Sequence, residues 1–244
     1  MRSTQSPRIQ PTDLFGRVTV QSRSLVVFSP YELKWILSRV SVIPNSLKSL
    51  NFSSLQTIRY HDKVLTLAGP AMGAPVAAMV LEVLRAFGAR QIIAFGSCGS
   101  LDEKLRIGHF IVPERALSDE GTSAHYPLPG KAVKPNLHIC RTLRSASRNH
   151  ECVCHSGYVW TTDAPFRETP KKIGAFRKKH ALAVEMELSS FFKASAFYGI
   201  ETGALLVVSD ELFSSKWKSG HTTPAYKKAV LQGSEIVLQA LTHL

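Results

Sequence analysis

Acids are scarce in this chain: 18 Asp and Glu face 30 Lys and Arg, a formal net charge of +12 at pH 7. Such a deficit leaves a surface that attracts anions such as phosphate esters, nucleotides or nucleic acid. The bases are spread along the chain, however, with only short clusters such as "RKK" at 177–179. No nucleic-acid-reading motif and no basic stripe interleaved with aromatics is present, so no nucleic-acid partner is expected. Cysteine is also sparse: Cys98, Cys140, Cys152 and Cys154 have no spacing that suggests a secreted disulfide framework, which points to a reducing cytoplasm. The stretch "HECVCH" (150–155) holds two thiols and two imidazoles, yet no second Cys/His cluster exists to close a tetrahedral site, so no metal is expected. No apolar run is long enough to span a bilayer, and no membrane partner is expected. Residues 1–17, "MRSTQSPRIQPTDLFGR", lack the apolar segment of a secretory signal, and residues 1–16 are expected to be flexible.

What is present is enough apolar material for a packed core, at 44% hydrophobic residues over 244 positions. That length fits one domain spanning 1–244, with no linker, internal repeat or low-complexity segment. Strands are predicted over 17–28, 63–69, 91–100, 106–117, 156–163, 181–187 and 202–212. Helices are predicted over 29–40, 74–89, 169–180, 188–199 and 223–244. Continuous apolar strands separated by helices predict an α/β fold with a mostly parallel sheet buried on both faces. In such a sheet ligands bind beyond the carboxyl ends of the strands. Three predicted strands end in polar or glycine-rich chemistry: Gly96-Ser97-Cys98-Gly99, Glu185-Met186-Glu187 and Ser209-Asp210-Glu211.

Each motif has two readings when taken alone. The loops "GSCGS" (96–100) and "GPAMGAP" (69–75) can expose backbone N–H groups to a ligand or simply turn the chain. Glu185 and Glu187 can accept hydrogen bonds from a polyol, or one of them can form a buried ion pair. Asp210 ends an otherwise apolar strand, which suits a general acid, or it caps whatever follows.

Taken in order, "GPAMGAP", "IIAFGSCGSL", "IGHFIVPERALSDEGTSAHY", "VWTTDAPFRET", "LAVEMELSSFF" and "LLVVSDEL" resemble the purine nucleoside and uridine phosphorylase family across about residues 60–215. The resemblance implies a three-layer α/β/α fold around a central mixed, partly barrel-like sheet. It also implies cleavage of a nucleoside's N-glycosidic bond, usually with inorganic phosphate as acceptor to give ribose 1-phosphate, with no metal or organic cofactor. By the same resemblance Glu187 binds the ribose 2′- and 3′-hydroxyls, Met186 packs against the sugar and Glu185 lines the same site. Asp210 protonates the base; Phe166 stacks near it; Ser97, Cys98, Gly99 and Ser209 face base and phosphate. Family members assemble as homo-oligomers, from dimers to hexamers.

The chain departs from that family where phosphate is held. The family's "GDPxR" loop corresponds to "FSPYE" (28–32), so its glycine becomes Phe28 and its arginine Glu32. The arginine of the "IRVGTCG" strand becomes Ala94, and only Lys48 is basic between 44 and 56. Three readings stay open: phosphorolysis with Lys48, Arg59 or another cation at a different phosphate site, hydrolysis by water, and nucleoside binding without turnover. The base is also open. The pyrimidine branch carries a Gln shortly after the aromatic, but here Arg167-Glu168-Thr169-Pro170 follows Phe166. Asp210 leans towards a purine.

Overall fold

The computed structural model describes residues 7–128 and 132–244. Its first half comprises α1 (Pro11–Phe15), β1 (Arg23–Val27), α2 (Pro30–Leu37), β2 (Ser41–Val42), β3 (Lys48–Ser49), β4 (Ser54–Tyr60), β5 (Lys63–Gly69) and α3 (Ala74–Ala86). There follow β6 (Gln91–Ser100), β7 (Phe110–Asp119), β8 (Ala132–Val133), α4 (Leu137–Asn149), β9 (Cys154–Thr162) and α5 (Pro170–Arg177). The chain ends with β10 (Ala181–Glu185), α6 (Leu188–Tyr198), β11 (Glu201–Glu211), β12 (Lys218–Ser219) and α7 (Pro224–Thr242). Within the segment expected to be flexible, residues 1–6 lie outside the described residues. Pro11–Phe15 forms a helical turn, and Phe15 meets Phe52 edge-on at 6.2 Å.

All strands join one sheet, ordered β12-β11-β7-β9-β10-β6-β1-β5-β4-β2, with β3 on β4 and β8 on β7. A further β11–β6 pairing closes β6, β11, β7, β9 and β10 into a barrel-like ring. The sheet is mixed and partly barrel-like, as the family resemblance implied, which corrects the mostly parallel sheet read from the apolar runs alone. Within the ring β10 runs antiparallel to β6 and β11 antiparallel to β7, and outside it β4 runs antiparallel to β5. Continuous apolar strands report burial on both faces, and here helices on both sides bury the strands whatever their direction.

The two-residue period of β6 shows how the layers form. Ile92 and Ala94 face a core shared with α3 and α6 through Leu81, Phe191 and Phe192. Ile93 and Phe95 face the opposite core, against Ile36 of α2, Ile139 and Leu143 of α4, and Ile236 of α7. A third cluster, with Trp160 stacked on Phe176 at 4.4 Å, sits under α5. The result is the expected three-layer α/β/α arrangement, and it brings the ends of β6, β10 and β11 together. Val184 pairs with Gly99, and Asp210 is in register with the same glycine.

Candidate active site

A cavity of about 830 Å³ opens where these strand ends meet. Ser97, Cys98, Gly99, Phe166, Glu185, Met186, Glu187, Ser209 and Asp210 all line it, so the strand-end residues and the aromatic singled out from the sequence are brought to one place. Gly99 lets these elements approach closely. A Cβ there would run into Leu212 and come within 3.0 Å of the Asp210 carboxylate.

The two acids of the "VEME" stretch do different things, and among the described residues neither is in an ion pair. Glu185 is spent internally: one oxygen accepts from Thr161 Oγ1, the other from the backbone N–H groups of Glu187 and Leu188, both at 2.7 Å. Those are orphan donors at the start of α6, where a carboxylate also suits the helix dipole. Glu187 is nearly as buried but less committed. Its Oε1 accepts the Gly73 N–H at 2.7 Å, and its Oε2 the Met186 N–H at 3.3 Å. Gly73 makes that contact at φ +84°, a conformation that glycine adopts readily and other residues rarely do. Burial, then the charge on Glu185, push the Glu187 carboxyl well above the ordinary range, while its two N–H donors pull the other way. Hydroxyl donors from a ligand would favour its charged form further.

Glu32, at the position where the resemblance implied an arginine, is only 1% exposed. Its Oε2 accepts from Ser29 Oγ, and its Oε1 from Ser97 Oγ and, at 3.0 Å, from the Tyr226 hydroxyl. Ser97 and Tyr226 are themselves 2.6 Å apart. Burial, then the charge of Glu32, push the Tyr226 hydroxyl far up, which keeps it a donor. Tyr226 is delivered by the first turn of α7, whose N-cap Thr223 accepts the Tyr226 N–H. Glu32 is close enough to raise the Glu187 carboxyl as well. No Lys or Arg is among the described residues lining the cavity. Lys48 on β3 and Arg59 on β4 do not reach it.

At the other end, Asp210 accepts from Ser209 Oγ at 2.7 Å and from the Trp217 indole N–H at 2.8 Å. It lies within β11, so it caps nothing. Phe166 stands at the mouth, 98% exposed, with Met72 and Trp217 also largely exposed beside the same opening. Glu168 lines the cavity without pairing with Arg167. Tyr226, Trp217 and His221 were not legible from the sequence as site residues. They reach the cavity from beyond β11, and only the fold brings Tyr226 to Glu32, 194 positions away.

The arrangement thus places between the two ends of the cavity a buried carboxylate, Glu187, held by two backbone N–H groups and no side chain among the described residues. A second buried carboxylate lies at one end and an acid with an indole partner at the other. The Phosphorylase superfamily model matches residues 23–242. A guanosine phosphorylase of Halorubrum lacusprofundi is 26% identical over 76% of this chain and 78% of its own length. The structure of a Toxoplasma gondii purine nucleoside phosphorylase superposes with a TM-score of 0.80 at 20% identity, covering 92% of this chain and 91% of that one. A Helicobacter pylori futalosine hydrolase superposes at 0.74 and 17% identity, covering 92% and 99%. The fold is therefore shared by proteins that differ in the group that attacks the bond, and it does not choose between them.

Proposed function

We infer the reaction from the premise that this chain belongs to the Phosphorylase superfamily: it cleaves the N-glycosidic bond of a nucleoside, and the attacking group is water. The observation that carries the choice of water is the buried Glu32, bonded to Ser97 and Tyr226 in a cavity that no Lys or Arg lines among the described residues. A phosphate seated on Ser97 would meet a like charge at contact range, a repulsion of about 4 kcal/mol per charge pair near a protein surface. A water there meets the Ser97 hydroxyl, which already donates to Glu32 and can pass a proton on to it.

In this reading Glu187 holds the ribose hydroxyls and Met186 packs against the sugar. Glu185 is a positioning residue, fixing the start of α6 and hence Glu187. Water on Ser97 passes a proton through the Ser97 hydroxyl, which already donates to Glu32, and the water oxygen bonds to C1′. The C1′–N bond breaks, and its electron pair leaves on the base nitrogen, which takes a proton from Asp210. Positive charge builds on the sugar beside Glu187 and negative charge on the base beside Asp210, so each development has its own partner. A second reading, phosphorolysis, is favoured by the name of the Halorubrum relative. It requires a phosphate site built from residues other than those lining this cavity.

The test is base release from a panel of purine and pyrimidine nucleosides, with and without phosphate. Equal release in both conditions is expected. Release only with phosphate would overturn the choice of water, and no release of any base would overturn glycosidic cleavage.

A further inference from the structure

Glu168 is an acid at the base end of the cavity to which the proposed reaction gives no task. Its backbone is pinned. Glu168 N–H bonds Pro165 O at 3.3 Å to close a 3-10 turn over Pro165–Arg167, and Thr169 N–H bonds Arg167 O at 2.9 Å. Thr169 then caps α5 by accepting the Lys172 N–H at 3.3 Å. The carboxyl held in this way is partly buried, and among the described residues it has neither a hydrogen-bond donor nor an ion-pair partner. Arg167, next to it, is exposed and bonded elsewhere only through its backbone. Glu32, Glu185, Glu187, Asp210 and His221 line the same cavity, and of these Asp210 on β11 is the one whose charge acts on Glu168, while His221 packs against Tyr226.

A half-buried acid without a partner is costly unless a ligand supplies the donor. Asp210 already faces the leaving base in the reading above, on which the present inference rests. The edge of a purine that carries N7 carries one more group, at position six. Adenine offers an N–H donor there, and hypoxanthine or guanine an oxygen acceptor. A carboxylate is acceptor-only, so it discriminates between these two. We propose that Glu168 is the residue that reads position six of the base beside Asp210, and that it selects purine nucleosides bearing a 6-amino group over their 6-oxo counterparts. Burial, then the charge of Asp210, push the Glu168 carboxyl up to about 7, so the acceptor-only form prevails in mildly alkaline solution. Discrimination of this kind is strong because the wrong base leaves a polar group of the site unpaired.

The experiment compares kcat/KM for adenosine and inosine, and binding of free adenine and hypoxanthine, in the wild type, Glu168→Ala and Glu168→Gln at about pH 8, above the value to which burial raises Glu168. The wild type is expected to prefer the 6-amino compounds. In Glu168→Ala their advantage should fall about ten- to a hundredfold, the worth of a hydrogen bond to a charged group. Glu168→Gln, which both donates and accepts, should bring the two bases close to parity. An amino-to-oxo ratio that is the same in all three proteins, or a wild type that prefers the 6-oxo compounds, overturns the role of Glu168 and leaves glycosidic cleavage standing. A wild type that neither cleaves nor binds any of the four compounds overturns both.

Discussion

The two ends of the cavity are built on opposite principles. At the attacking end Glu32 is almost wholly buried, and both of its oxygens are held by hydroxyl groups from three separate parts of the chain. At the base end Phe166 is 98% exposed, Trp217 lies open and Glu168 has no donor of its own among the described residues. A closed network holds one carboxylate in place, while large exposed side chains rim the other end. On the proposed function, the attack on the bond rests on buried, mutually bonded groups and the choice of base on exposed ones.

Variants can break that contrast in order of expected effect. Glu32→Gln keeps the shape and most hydrogen bonds of the closed end but removes the proton acceptor. Single-turnover rates should fall by about 10²–10⁴ with substrate binding retained. A variant that cleaves at the wild-type rate would remove Glu32 from the reaction. Glu187→Ala removes two charge-assisted bonds to the sugar, so kcat/KM should drop by about 10³. The penalty for a 2′,3′-dideoxy substrate should vanish in that variant; if the penalty persists, another group holds the hydroxyls. Asp210→Asn, at the open end, should slow purine release by about 10² while leaving base binding nearly intact, as isothermal titration with the free base would show.

The smallest effect is on stability. A carboxyl raised by burial favours folding while it is protonated, and that contribution is lost as pH rises through its folded value. Glu187 and Glu168 are both raised, the latter to about 7. The melting temperature should therefore decline from mildly acidic to mildly alkaline solution. Glu187→Gln should flatten the decline by about 2–4 °C for each kcal/mol involved. An unchanged slope would show that Glu187 does not carry the pH dependence.

The same contrast governs how much was legible in the sequence. The apolar runs 91–100 and 202–212 announced β6 and β11, and the acids and glycines at their ends announced the cavity, because buried strands must carry polar groups at their tips if a site is to exist there. Strand direction was not legible, since residues such as Ile92, Ile93 and Leu205 are buried on both faces whichever way a neighbour runs. The helix α4 was missed because its Arg- and Ser-rich sequence hides a narrow buried stripe of Ile139, Cys140 and Leu143 behind the Asn136 cap. Glu32 was visible only as a missing arginine. Its meaning depends on Tyr226, which no local pattern connects to it. Glu185 and Glu187 looked equivalent in "VEME", and only the donors each one finds separate a positioning carboxylate from an available one.

The central claim is that Glu32 serves water where the family's phosphate would sit. Its most direct test is cleavage of a reactive nucleoside in ¹⁸O-labelled water containing phosphate, with the sugar product analysed by mass spectrometry. Free ribose carrying one ¹⁸O atom at C1, formed at a rate independent of phosphate, is the predicted result. Unlabelled ribose 1-phosphate, formed in proportion to phosphate, would contradict it.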